Sequence, residues 1–127
     1  MSAALAQLVF DCDNAEKLAG FWSQVLDRPV DPGANPFFAT VGVDRSAGSG
    51  ESARPLGLMF LKVPEGKQVK NRLHVDLSAG DWESEVARVI GLGAVQVGEH
   101  REYGTHWVTL LDPEGNEFDL GAGMNVG

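Results

Sequence analysis

The sequence predicts an α+β fold made of two βαβββ modules, and three observations carry that prediction. Apolar residues alternate with period two in several short runs, as half-buried strands require. Two stretches carry apolar residues at helical spacing instead. The order strand, helix, three strands then occurs twice along the chain.

The first strand spans residues 5–11, with Leu8 and Phe10 on one face and Gln7, Val9 and Asp11 on the other. Asp13 or Asn14 caps the following helix, because a short polar side chain there accepts from free backbone N–H groups. Leu18, Phe21, Trp22, Val25 and Leu26 form that helix's apolar stripe. Asp27 to Pro36, rich in Pro, Gly and Asp, breaks it and leaves room only for a short strand at Arg28 to Val30. Strands follow at Phe37 to Val43 and Leu56 to Val63, joined by the Gly/Ser-rich loop DRSAGSGESARP.

The second module starts with a strand at Arg72 to Ser78. Leu73, Val75 and Leu77 share one face; His74, Asp76 and Ser78 share the other. Asp81 caps a helix striped by Trp82, Val86, Val89 and Ile90, and GLGA closes it with glycine. Strands fit Ala94 to Val97, Thr105 to Leu111 and Asn116 to Leu120. DPEG between the last two is a turn in which Pro113 presets φ and Gly115 closes the reversal. Gln7 and His74 hold the same place in the first strand of their modules, 67 residues apart. Module 1 covers about residues 3–64 and module 2 about residues 70–123 of a single domain spanning 1–127, with the junction near Glu65 to Lys70.

Composition narrows the function classes. A net charge of −8 disfavours nucleic acid and anionic membrane as partners. Cys12 is the sole cysteine, which excludes an intrachain disulfide and any structural zinc site built on several thiolates. There is no basic leader, and no run of about 18 apolar residues, so the sequence reads as soluble and cytoplasmic. No phosphate-cradling glycine loop, nucleophile elbow or dinucleotide fingerprint is present.

KNRLHVDL with its helix and GLGA, followed by YGTHWVTLLDPEGNEFDL, resembles the vicinal oxygen chelate superfamily, and within it the small glyoxalase-like domain subgroup. Glyoxalase I, extradiol dioxygenases, and fosfomycin- and bleomycin-resistance proteins belong to that superfamily. The resemblance implies two modules curled into a U-shaped mixed sheet around a cavity, helices outside, and a homodimer. It places Asp119 toward the cavity and Phe118 and Leu120 toward the helices. Carried over by position, Gln7, His74 and Asp119 match three ligands of a divalent Ni, Zn, Fe or Mn ion. The strand that should supply the remaining ligand, LGLMFLKV, has no carboxylate or imidazole; Leu61, or Met59 on the same face, stands where the family places a glutamate.

Each candidate has two readings. His74 is a cavity ligand or acid–base group, or a histidine that holds its strand through Asp76 or Asp119. Asp76 orients His74 or is a structural acid. Asp119 forms a catalytic pair with His74, or is an ordinary polar strand residue. Gln7 is a metal ligand or a cavity hydrogen-bonder. Trp107 and Tyr103 stack on an aromatic or sugar-like ligand, or pack at a module edge. His106 has the parity of the packed residues Val108 and Leu110, and His100 is solvent-exposed. Lys67, Lys70 and Arg72 gather an anionic ligand or decorate a solvated hairpin.

Three functions follow. The missing carboxylate, with the acidic cavity that the resemblance implies, favours a metal-free protein that binds a small aromatic or cationic molecule, as bleomycin-resistance proteins do. The first alternative is a metal-dependent lyase, isomerase or dioxygenase using Gln7, His74 and Asp119. The second is a metal-free enzyme in which His74 and Asp119 transfer protons.

Overall fold

The computed structural model describes residues 2–43 and 56–123. The loop DRSAGSGESARP lies outside the described residues. The chain divides into two compact units, Met1–Gly66 and Lys67–Gly127.

In the first unit β1 (Gln7–Cys12) leads into α1 (Ala15–Leu26), then β2 (Phe38–Val41) and β3 (Gly57–Lys62). The strands form a mixed sheet ordered β1–β3–β2, with β1 parallel to β3 and β2 antiparallel to it. Asn14 takes the cap, accepting from the Lys17 N–H at 3.1 Å. Asp13 instead pairs with Lys62 at 3.2 Å. Leu18, Trp22 and Val25 of α1 are buried, and the Phe10 ring packs against Trp22 and Phe60 at 5.6 and 5.1 Å.

The strand expected at Arg28 to Val30 is a single bridge, Val30 to Val41. Proline explains this: Pro29 and Pro32 flank Val30 and lack the N–H a ladder needs. The first module is therefore a reduced version of the second.

The second unit has the complete pattern: β4 (Val75–Ser78), α2 (Trp82–Gly91), β5 (Val95–Glu102), β6 (Thr105–Leu111) and β7 (Glu117–Gly121). Its sheet runs β4–β7–β6–β5, with β4 parallel to β7 and the other pairs antiparallel. Val108, Leu110, Phe118 and Leu120 are buried on the face that carries α2, whose Val86 and Val89 are also buried.

Four sequence expectations need correction here. β4 starts at Val75 because its pairing with β7 begins at Val75 and Phe118; Leu73 precedes the ladder and is exposed. Ile90 is exposed too, since the buried stripe of α2 narrows to Val86 and Val89. Asp81 stands at the N-cap of α2 but makes no side-chain cap bond. Finally, β5 continues to Glu102, well beyond Val97. It bulges between Gln96 and Gly98, then turns through Tyr103 and Gly104, both at positive φ (55° and 73°). Two positive φ values make the tight turn whose twist matches an antiparallel hairpin.

The DPEG turn is more heavily fastened than a generic reversal. Asp112 is 3 % exposed, and its carboxylate accepts from the Glu114 and Asn116 backbone N–H groups and the Asn116 amide, at 2.9–3.0 Å. Gly115 completes the turn by donating to the Asp112 carbonyl at 2.9 Å. Asp112→Ala leaves these donors without their acceptor, and a loss of about 2 kcal/mol in urea unfolding is the expected outcome. Tyr103→Asn is expected to do the opposite. Tyr103 is 94 % exposed and in a backbone region that favours Asn, so the free energy of unfolding should rise by about 0.5–1 kcal/mol, read as a higher urea midpoint with unchanged slope.

Candidate metal centre

β7 brings the candidate residues together. Period two along Glu117–Gly121 puts Phe118 and Leu120 into the core under α2, so Glu117 and Asp119 project from the opposite, helix-free face. The parallel register sets Asp76 of β4 directly beside Asp119. His74, one residue before β4, shares the side of Asp76. Its Nε2 lies 3.4 Å from Asp76 Oδ1 and 3.2 Å from Asp119 Oδ2. Ligand atoms of His74, Asp76 and Asp119 all lie within 4.8 Å of one another. The group sits wholly in the second unit.

Its electrostatics are strained. Asp76 is 45 % exposed at the side chain, yet its carboxyl end lies against Asp119. Partial burial raises Asp76 above the ordinary carboxylate range; the Asp119 charge and a hydrogen bond with Asp119 add to the rise, while His74 opposes it. Among the described residues no Lys or Arg pairs with either acid. Thr109 on β6, paired with Asp119, donates its hydroxyl to Asp119 Oδ1 at 2.6 Å and fixes that carboxylate.

Two like charges held side by side call for a shared proton or a cation. The donor set suits a cation. Two atoms that each lie about 2.1 Å from one ion are about 3.0–3.4 Å apart in octahedral or tetrahedral coordination, and the His74 separations fall there. One imidazole nitrogen with carboxylate oxygens fits Zn, Mn, Fe or Ni.

Glu117 has a supporting role that its sequence position does not announce. It accepts from the Asn71 N–H at 3.0 Å and pairs with Lys67 at 3.2 Å, fastening the segment that leads into His74. Lys67 is thus engaged with Glu117 of β7 and the Val69 carbonyl rather than free to gather an anion.

Gln7 lies on β1 of the first unit, on the helix-free face with Val9, Met59 and Leu61. β3 has no carboxylate on that face, as its sequence requires. Trp107 projects from the helix-free face of the second sheet, where its ring stacks on His100 at 5.3 Å and 25°. Tyr103 sits at the hairpin tip and makes no ring contact among the described residues. His106 has the helix-side parity expected: its ring meets Trp82 of α2 edge-on at 4.7 Å, and its Nε2 lies 2.6 Å from Glu99. Sequence reasoning left Asp76 as either an orienting group for His74 or a structural acid. It missed that the parallel β4–β7 register makes Asp76 an equal neighbour of Asp119; the signal was the HVD spacing, readable only once the strand pairing is known.

A mixed sheet with an imidazole and two carboxylates on its helix-free face, in a chain of two related modules, defines an α+β protein with a candidate metal centre. The chain belongs to the glyoxalase-like domain family, which it matches over residues 7–121. Solved structures agree on the fold. A glyoxalase/bleomycin resistance protein/dioxygenase family enzyme from Burkholderia phytofirmans PsJN is 18 % identical, with 94 % of this chain and 98 % of that one covered and a TM-score of 0.70. A fosfomycin resistance protein, FosX, from Listeria monocytogenes is 13 % identical over 98 % and 93 % of the two chains, with a TM-score of 0.69; that structure is complexed with Mn(II) and 1S,2S-dihydroxypropylphosphonic acid. The oxidase ChaP-H2 is 16 % identical over 96 % and 94 %, with a TM-score of 0.65. No curated protein matches the sequence significantly. No helix among the described residues is long and apolar enough to cross a membrane.

The tether from Glu117 yields a pH-dependent prediction. Burial pushes this carboxyl up, but the Asn71 N–H and Lys67 outweigh it and hold Glu117 below its ordinary range. A depressed carboxylate stabilises the fold above its unfolded pKa of about 4.3 and loses that contribution as pH falls through the folded value. Glu117→Gln should therefore cost about 1 kcal/mol at pH 7. In parallel melts of the two proteins, the difference should close once pH drops below the folded value.

Proposed function

We propose that the protein is a divalent-cation-dependent member of its family, with His74, Asp76 and Asp119 as protein ligands and a small oxygen-bearing molecule as substrate. The observation that carries this reading is the His74 imidazole poised between two adjacent carboxylates that no basic side chain among the described residues neutralises. The expectation of a metal-free binding protein rested on the carboxylate missing from LGLMFLKV. Asp76 removes that ground by offering a second carboxylate from β4, next to Asp119. The Mn(II) held by the structurally similar FosX supports the same direction.

Within this reading each side chain has a task. Thr109 locks Asp119 through its hydroxyl, leaving the second oxygen of Asp119 toward His74. Glu117 holds the approach to His74. Asp76, more exposed than Asp119, is the ligand best placed to exchange a proton with substrate. When bound, the ion would supply Lewis-acid polarisation of a substrate oxygen.

A second reading has its own observation, the parallel register that sets Asp76 directly beside Asp119. In it the two acids share a proton and, with His74, transfer protons without metal. Plasma mass spectrometry on untagged protein, offered Mn, Zn, Fe and Ni separately, distinguishes the two. The metal reading expects close to one equivalent per chain from at least one ion. His74→Ala, Asp76→Asn and Asp119→Asn should each weaken that binding by about tenfold or more. Absence of binding for all four ions rejects the metal reading and leaves the shared proton. Equal retention in Asp76→Asn would remove Asp76 from the ligand set.

A further inference from the structure

The helix-free face of the second sheet carries more than the acid pair. Opposite residues in paired strands share a face, so β7, β6 and β5 lay out rows of residues there, two of which lie next to each other at the site. One row is Asp119, Thr109, Gly98; the next is Gly121, Trp107, His100. Trp107 is thus a diagonal neighbour of Asp119, about 7–8 Å between backbones. A single planar ring with one oxygenated substituent reaches across that gap.

The second row is shaped for rings. Trp107 and His100 stack with centroids 5.3 Å apart and planes at 25°. Both neighbours are glycine, and each is tight against an aromatic residue or its backbone. A Cβ on Gly121 would come within 2.8 Å of the Trp107 Cβ and 2.6 Å of the His106 carbonyl oxygen. A Cβ on Gly98 would meet His100 Nε2 at 3.2 Å and the Thr109 Cβ at 3.8 Å. Side chains at either place would crowd the rings. Thr109, the polar group between Trp107 and Asp119, already commits its proton to Asp119. The row therefore presents the π faces of two rings side by side, which suits a planar conjugated ring better than a polyol.

We propose that Trp107 and His100 form a stacking seat for a planar aromatic carboxylate or related oxyanion whose oxygen atoms meet the His74, Asp76 and Asp119 group. The oxygen-binding half of this proposal rests on the metal reading above; the stacking half rests on the aromatic row alone. His100 replaces Tyr103 as the partner of Trp107. These residues determine which substrates fit and take no part in proton transfer.

Benzoate and cyclohexanecarboxylate test it, because they share a carboxylate and differ in ring planarity. Calorimetric titration of Mn(II)-loaded protein is expected to show benzoate bound about fivefold tighter, the size of an aromatic stacking preference. Trp107→Leu should bring the ratio of the two affinities near one, and His100→Ala should lower it in part. Trp107→Phe should keep most of the preference, so a poorly folded leucine variant does not close the question. Mn(II) stoichiometry and thermal melts check that each variant retains its centre. A ratio unchanged by Trp107→Leu and His100→Ala in such folded protein overturns the seat while leaving the metal reading intact. Failure of both acids to bind at millimolar concentration overturns it as well. If Mn(II) does not bind but benzoate is still preferred through Trp107, the seat stands and the metal reading falls.

Discussion

The candidate site depends on one strand pairing. β7 runs parallel to β4 on one side and antiparallel to β6 on the other. The first contact sets Asp119 beside Asp76; the second gives Asp119 the Thr109 hydroxyl. Both require β7 to leave the DPEG turn in a single register. A slip by one residue would bury Asp119 and expose Phe118, reversing every contact on the strand. The buried carboxylate of Asp112, holding two backbone N–H groups and the Asn116 amide, sets that register at its origin. Stability and site geometry thus share a cause, in an acid of the turn rather than of the strand.

Much of this was legible in the sequence. Alternation in NEFDL determined which face Asp119 occupies, and the turn chemistry of DPEG marked where the strand begins. The parity of His106 with Val108 and Leu110 put it on the helix side correctly. What escaped has physical reasons. GEHRE lacks an apolar face because it lies on the exposed edge strand of the sheet, so periodicity does not reveal it, and the Tyr103–Gly104 turn lacks the usual Asn-Gly or Asp-Gly pair. Without that hairpin His100 reads as a loop residue and its stacking on Trp107 is invisible. The parallel partner of β4 is likewise a tertiary choice, and Asp76 becomes a neighbour of Asp119 only through it.

The repeat bears on whether the acid pair serves the fold or something else. Aligning His74 with Gln7 places Asp76 on Val9, two residues further along each first strand. The partner of Val9 in the parallel register is Met59, as the partner of Asp76 is Asp119. The same structural position thus holds an apolar pair in the first unit and two acids in the second. The first unit shows that a sheet of this kind forms with Val and Met there, so pairing the strands needs no carboxylates. In the second unit the acids repel, and the rise in Asp76 pKa reflects partial burial first and that repulsion second. A local arrangement that opposes stability, where the fold has an apolar solution available, marks a site that binds a proton or a cation. That asymmetry also sorts the residues of the second unit. Asp112 and Glu117 act through the backbone they hold, whereas Asp76, Asp119 and His74 face one another and act through what they bind between them.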